Sequence, residues 1–291
     1  MVIVTGASGR TGGEVVRLLS ARGIRVRALV RDAARTKGLS GPGVEVVVGD
    51  LKRPASLDPA FRGGSKLFLV SSPDPDVETL HGNALEAAKR AGIRHVVRLS
   101  AHGASQGCPA LLLRVHGEVD EKLSRSGLSF TILRPHSFFQ NTLFHAASVA
   151  SDGVMYGASQ NGAIPMIDLR DVALAASAVL TANGHSGRIY DLTGPQALSQ
   201  AQVAEKLSAV LDRPVRYVDV PPDAFREGLK GKLPDWLADA VLELTLHLAS
   251  GRDVEVTDGV ERITGKKPRP YDQFARDFAA AFGGAPKAVA T

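Results

Sequence analysis

Cysteine is nearly missing: Cys108 stands alone in 291 residues. A single thiol excludes an internal disulfide and any multi-cysteine metal site, and no metal is expected elsewhere. Between Gly107 and Pro109, with no motif around it, Cys108 reads as a loop thiol rather than a nucleophile. Long apolar runs are missing as well. None approaches the ~20 residues that a membrane helix needs. Met1 leads straight into a strand-like stretch, without the basic region and apolar core of a secretory leader. A cytoplasmic chain without membrane contact is the expectation. Aromatic residues make up only 5%. The net charge of +5 is spread out, the densest run being Lys266-Lys267-Pro268-Arg269. Without a basic patch interleaved with stacking rings, nucleic acid is not an expected partner.

What is present begins at once. The apolar run Val2-Ile3-Val4 leads into Thr5-Gly6-Ala7-Ser8-Gly9-Arg10-Thr11-Gly12-Gly13, and Val15, Leu18 and Leu19 then share one helical face. Strand, glycines three apart, then helix is the context of a dinucleotide-binding turn. One glycine makes the tight turn, the next lets the backbone approach a pyrophosphate, and the third lets helix and strand pack. Gly6, Ala7, Ser8, Gly9, Arg10, Thr11 and Gly12 are therefore cofactor-binding candidates, with the anion held on unpaired N–H groups at the helix start.

Further strands are predicted at Arg25–Val30, Val44–Val48, Lys66–Val70, Val96–Leu99 and Phe130–Leu133, with helices near Leu80–Ala91 and Leu112–Ser126. Apolar strands alternating with helices imply an α/β protein: a doubly wound parallel-sheet Rossmann fold. Beyond Arg134 the pattern loosens. A short extended piece near Ala163, a helix starting near Asp171 and a strand at Arg188–Leu192 precede a helix at Ser199–Leu211 and a strand at Val215–Val220. The expected division is a Rossmann domain over 1–193, with 142–165 able to join the smaller C-terminal substrate lobe over 194–282. Residues 283–291 are expected to be a disordered tail. Phe274, Phe278 and Phe282 fall at helical spacing and read as packing. The Leu- and Ala-rich stretch from Gly228 to Gly251 reads as a lid helix or a subunit contact, and leaves a homodimer open.

The residue at the tip of the second strand faces the adenosine ribose and selects the cofactor. If that residue is Arg31, its guanidinium forks onto a 2′-phosphate and favours NADP(H); Arg10 and Arg35 can approach the same group. One residue of slip puts Asp32 there and favours NAD(H). Asp50 and Leu51 are placed for the adenine, or Asp50 merely caps a turn. Ser71, Ser72 and Pro73 end the fourth strand, at the edge where a ligand lies.

Several stretches together resemble the NmrA-like atypical short-chain dehydrogenases/reductases. They are residues 4–13, Val26–Asp32, Ser126-Gly127-Leu128 running into Thr131-Ile132-Leu133-Arg134-Pro135 with Phe138-Phe139-Gln140-Asn141, Asp168-Leu169-Arg170-Asp171-Val172-Ala173, and Thr264-Gly265-Lys266-Lys267-Pro268. The likeness spans nearly the whole chain and is greatest to the NAD(P)H:quinone oxidoreductase and azoreductase-like branch. It implies NADP(H) and a lobe closing over a small-molecule substrate. The sequence departs from the family in one respect: none of its four tyrosines is followed by lysine at the Tyr-x-x-x-Lys spacing. At the equivalent helix His116 and Asp120 lie one turn apart. His116 is the candidate acid, with Asp120 orienting its ring and raising its pKa; an ordinary helix pair is the alternative. Ser100 matches the family's catalytic serine, or caps a strand. Pro135 and Phe138 are expected along the nicotinamide, with His136, Phe139 and Asn141 toward the substrate, unless the phenylalanines are core. The expected activity is hydride transfer to a quinone, enone or similar acceptor, and the rival is an NADP-sensing regulator without turnover.

Overall fold

A computed structural model describes residues 1–34, 36, 38–251 and 254–284. The strands are β1 (Val2–Val4), β2 (Val26–Val30), β3 (Val44–Val48), β4 (Lys66–Leu69), β5 (His95–Leu99), β6 (Phe130–Pro135), β7 (Val154–Gly157), β8 (Ala163–Ile164), β9 (Arg188–Leu192), β10 (Leu198–Ser199) and β11 (Arg216–Asp219). Seven of them form one sheet in the order β3-β2-β1-β4-β5-β6-β9, each neighbouring pair parallel. Parallel strands need crossovers that cover both faces, so central strands must be apolar on both sides. The chain obeys this: Val2, Ile3, Val4, Leu67, Phe68, Leu69, Val96 and Val97 are all buried.

The helices are α1 (Arg10–Ala21), α2 (Leu57–Phe61), α3 (Val77–Arg90), α4 (Leu111–Ser124), α5 (Ala146–Asp152), α6 (Leu169–Thr181), α7 (Gln200–Leu211), α8 (Pro222–Leu229), α9 (Asp235–Ala249), α10 (Gly259–Thr264) and α11 (Tyr271–Asp277). On one face α1 and α6 pack Val15, Val16, Leu19, Val172, Ala176 and Val179 against the sheet. On the other, α2 and α3 do so through Leu57, Phe61, Leu80, Ala84 and Ala88, joined by Leu123 of α4. The Rossmann expectation and the return of 188–192 to the main sheet both hold.

A third cluster is built mostly beyond β6, from Phe139, Val149, Met155, Ile164, Val203, Leu207, Tyr271, Phe274 and Phe282. Residues from the 142–165 stretch thus pack with residues of 194–282, and β7 pairs with β11. The three phenylalanines do not sit on one helix: α11 ends at Asp277, and a 3-10 turn over Ala279–Phe282 completes the segment. Gly283 and Gly284 of the expected tail donate backbone bonds to Ala280 and Ala279; residues 285–291 lie outside those described. No helix among the described residues is long and apolar enough to cross a membrane.

Candidate active site

β1 and β4 are adjacent at the centre of the sheet, and the connections after them leave in opposite directions, which opens a crevice at their carboxyl ends. Thr5 closes the base of that crevice: its Oγ1 donates to the Val70 carbonyl at 2.7 Å and accepts from the Val70 N–H at 2.9 Å. Gly6 turns the chain with φ +55°, and a Cβ there would lie 2.8 Å from the Val70 oxygen. A Cβ on Gly12 would lie 2.3 Å from the Gly6 oxygen. Neither position has room for a side chain without moving the backbone of the turn.

α1 starts at Arg10; its N-cap Gly9 offers no side chain and its first turn has no acid. The unpaired N–H groups and the positive dipole end stay available to an anion. These residues fit a pyrophosphate. Arg31 follows β2 directly and is exposed, as is Arg10. Neither makes an ion pair among the described residues. Asp32 turns its Oδ1 back to the Ala34 N–H at 2.9 Å, so its carboxylate serves the local turn; Arg35 lies outside the described residues. Asp50 likewise accepts from Lys52 N at 3.0 Å, the turn-capping alternative. Leu51 is buried beside it.

A cavity of about 310 Å³ continues from this edge. It gathers Thr11, Ser71, Ser72, Pro73, Ser100, His116, Pro135, His136, Phe138 and Asn141. All of these are residues expected at the ligand from the sequence. Leu112 and Leu113 of α4 and Leu244 and Leu248 of α9 add apolar walls that no local pattern announces. The loop after β6 is held in place by residues of the quoted motifs. Gln140 Nε2 donates to Asp168 Oδ1 at 3.0 Å, and Gln140 Oε1 accepts from Leu169 N at 3.0 Å. Asp168 is in turn the N-cap of α6, accepting from Arg170 N. This pinning turns Phe138 to the cavity. Its neighbour Phe139 points the other way, and here the expectation is corrected: Phe139 is 1% exposed and meets Tyr271 edge-on, at 5.1 Å between ring centroids, and Phe274 at 5.7 Å. It is core, not a substrate wall.

His116 and Asp120 also depart from the expected pairing. Both face the sheet, as their spacing requires, yet they do not meet. Arg98 of β5 stands between them, with no exposed surface. Its Nη1 pairs with Asp120 Oδ1, its Nη2 donates to His116 Nδ1 at 3.0 Å, and its Nε donates to His81 Nδ1 at 3.4 Å. Asp120 Oδ2 accepts from Ser100 Oγ at 2.8 Å and from Arg134 Nε at 3.0 Å. His81 Nε2 meets Ser71 Oγ at 3.0 Å. Asp120 therefore neutralises guanidinium groups instead of raising His116.

Burial, then Arg98 and Arg134, pushes the His116 imidazole down to about 3. Burial, then Arg98, holds His81 well below the usual range. Arg98 itself is lowered by burial to about 10 and stays cationic at neutral pH. His116 is thus no imidazolium acid at pH 7. Arg98 and His81 are the members of this cluster that the sequence did not reveal. The available signal was a charge in the middle of a strand that a parallel sheet buries on both faces.

Stability should follow these two imidazoles. In the unfolded chain both titrate near 6.5; in the folded protein they refuse the proton until far lower pH. Between the two values the unfolded chain holds more protons, so stability falls as pH drops below about 6.5. The expected slope is roughly 1.4 kcal/mol per pH unit for each group. Urea midpoints between pH 7.5 and 5 measure it, and His116→Gln should flatten the curve. A midpoint unchanged down to pH 5 would refute the assignment.

The family model for NAD(P)H-binding proteins matches residues 6–183. The NAD(P)H azoreductase of Xenophilus azovorans is 38% identical over 286 residues, covering 98% of this chain and all of that protein. Quinone oxidoreductase 2 of Escherichia coli is 31% identical over 269 residues, covering 91% of this chain and 94% of its own. The crystal structure of the NADPH-dependent quinone oxidoreductase of Escherichia coli complexed with NADPH superposes with a TM-score of 0.88 at 29% identity, covering 96% of this chain and 100% of that one. The turn at Gly6–Gly12 and the order of the sheet are what such a likeness demands. The chain belongs to the NAD(P)H-binding family, together with the azoreductase and quinone oxidoreductase relatives it matches over nearly its whole length.

Proposed function

We propose that this protein is an NADPH-dependent reductase that passes a hydride to a quinone, or to a related conjugated acceptor such as an enone or azo compound. The observation that carries the reading is the single cavity wall running from the dinucleotide cradle at Thr11 and Ser71–Pro73 to Pro135, Phe138 and the leucines of α4 and α9. A flat acceptor with apolar faces fits such walls, whose exposed surface is mostly apolar. The relatives named above, by their own names an azoreductase and quinone oxidoreductases, support it.

In this reading the Gly6–Gly12 turn holds the pyrophosphate, while Arg31, with Arg10, takes the 2′-phosphate. Asp50 and Leu51 border the adenine. Ser71, Ser72, Pro73, Pro135 and Phe138 flank the nicotinamide half, and His136 and Asn141 face the acceptor. The region over 194–282, with 142–165, serves as the substrate lobe of a protein that works in the cytoplasm, where a homodimer is its proposed assembly. Bound there, the cofactor supplies the hydride. The chain's own task is to hold donor and acceptor in contact and keep water out. A quinone takes much of its driving force from the hydride itself, so the missing Tyr-x-x-x-Lys is tolerable, and the proton comes from water.

The test is NADPH oxidation by purified protein against a panel of quinones, enones and azo dyes, together with Kd values for NADPH and NADH. Turnover with at least one panel member and tighter binding of NADPH are expected. Binding without any oxidation would leave a cofactor-sensing protein instead, and a Kd for NADPH no tighter than for NADH would remove Arg31 from its role.

A further inference from the structure

A guanidinium group carries N–H donors and no acceptor. Whatever Arg98 touches must therefore present a lone pair. Its Nη2 meets His116 Nδ1 at 3.0 Å and its Nε meets His81 Nδ1 at 3.4 Å. Neither imidazole can carry a hydrogen on Nδ1 without setting N–H against N–H, so each carries its proton on Nε2. The polarity then propagates. His81 Nε2–H donates to Ser71 Oγ at 3.0 Å, which frees the Ser71 hydrogen for another acceptor. On the other branch Ser100 gives its hydrogen to Asp120 Oδ2 at 2.8 Å. Ser100 can thus offer the cavity lone pairs but no proton.

We propose that Arg98 is a positioning residue: it fixes His81 and His116 as Nε2–H tautomers, so that His116 Nε2–H and the Ser71 hydroxyl are offered to the cavity as directed hydrogen-bond donors. His116 and Ser71 both line that cavity. His116 Nε2 has no protein partner among the described residues. The arrangement suits ligands with lone pairs, such as a quinone or enone oxygen or an azo nitrogen. As negative charge builds on that atom during hydride arrival, a neutral donor already aimed at it stabilises the charge without rearrangement. The imidazole stays neutral throughout; burial and the cations of Arg98 and Arg134 keep it so. The part of this inference that concerns the acceptor rests on the reductase reading above, whereas the tautomer assignment does not.

Two experiments separate those parts. Long-range ¹H–¹⁵N spectra of ¹⁵N-histidine-labelled protein at pH 7, assigned with His81→Gln and His116→Gln, should give both rings as Nε2–H tautomers with bare Nδ1. A protonated Nδ1 or an imidazolium in either ring overturns the proposal, whatever the protein reduces. Arg98→Lys keeps the charge but loses the fork, and should return at least one ring to a mixture of tautomers; two unchanged rings would remove Arg98 from the role.

The second experiment is steady-state kinetics with an acceptor from the panel. His116→Gln can accept from Arg98 through its carbonyl and donate to the cavity through its amide, and should keep kcat within about 5-fold. His116→Leu removes the donor and should lower kcat on the order of 100-fold, with KM for NADPH nearly unchanged. Equal loss in both variants would mean that His116 gives up a proton, and no loss in either would mean that it does nothing; both outcomes refute the donor role. If the wild-type protein reduces nothing, the reductase reading fails while the spectra still decide the tautomers.

Discussion

A methyl group added at position 12 is expected to weaken NADPH binding by about 100-fold or more, close to 2.7 kcal/mol. In Gly12→Ala the new Cβ would sit 2.3 Å from the Gly6 oxygen, 2.8 Å from the Gly6 carbonyl carbon and 3.0 Å from Ala7 Cα. All three are backbone atoms of the turn itself, so no side chain can swing away to make room. Relief comes only by opening the turn or shifting the start of α1. Either movement re-aims the N–H groups that must converge on the pyrophosphate.

The core beneath should survive. Val15, Val16 and Leu19 still bury the helix face against the sheet. Circular dichroism should therefore remain close to wild type while an NADPH fluorescence titration loses affinity. Gly13→Ala is the comparison, since its Cβ would approach only the Ala7 oxygen, at 3.2 Å, and a smaller loss is expected. A Gly12→Ala protein that binds NADPH within 3-fold of wild type would show that the anion is held elsewhere.

That turn was legible in the sequence because its requirement is local. Glycine at residues 9 and 12 answers to backbone atoms a few positions away, glycine at residue 6 answers to its own positive φ as well as to distant Val70, and the strand before it is apolar because a parallel sheet covers both faces. The same logic made most of the strands readable. Arg98 was not readable in its role, although its strand was. Its partners lie 17, 18 and 22 residues away, on two different helices. The spacing of His116 and Asp120 correctly put them on one face of α4, but spacing carries no information about what stands between two residues. Phe138 and Phe139 were both named as walls because they are adjacent. Their opposite fates, cavity and core, depend on how Gln140 and Asp168 pin the loop. Leu244 and Leu248 come from α9, a helix whose Leu- and Ala-rich pattern fits several partners equally well. What fails to show in a sequence is therefore direction, rather than residue type.

Asp120→Asn is expected to destabilise the protein by about 3–5 kcal/mol, the usual cost of removing one partner from a buried ion pair. Asp120 is 3% exposed and Arg98 is fully buried. The carboxylate meets Arg98 through one oxygen and, through the other, Ser100 at 2.8 Å and Arg134 Nη2 at 2.9 Å. Asparagine keeps the shape but carries one acceptor in place of two, and its amide must point N–H groups at groups that are themselves donors. Arg98 would then hold a full charge inside the sheet with only neutral imidazoles for company.

Since a domain's whole stability is typically about 5–15 kcal/mol, urea midpoints should move far, with an unchanged m-value if two-state unfolding persists. Arg134→Met is the informative contrast. Arg134 keeps 23% of its side chain exposed, and its loss leaves Arg98 still paired, so a smaller effect is expected. If Asp120→Asn costs less than about 1 kcal/mol, water or a second acid must compensate Arg98. The buried charge would then be a weaker anchor for the two imidazoles than the geometry implies. If it costs the full amount, the same carboxylate that keeps Arg98 inside the sheet also decides which way His81 and His116 point their protons, and stability and site polarity share one origin.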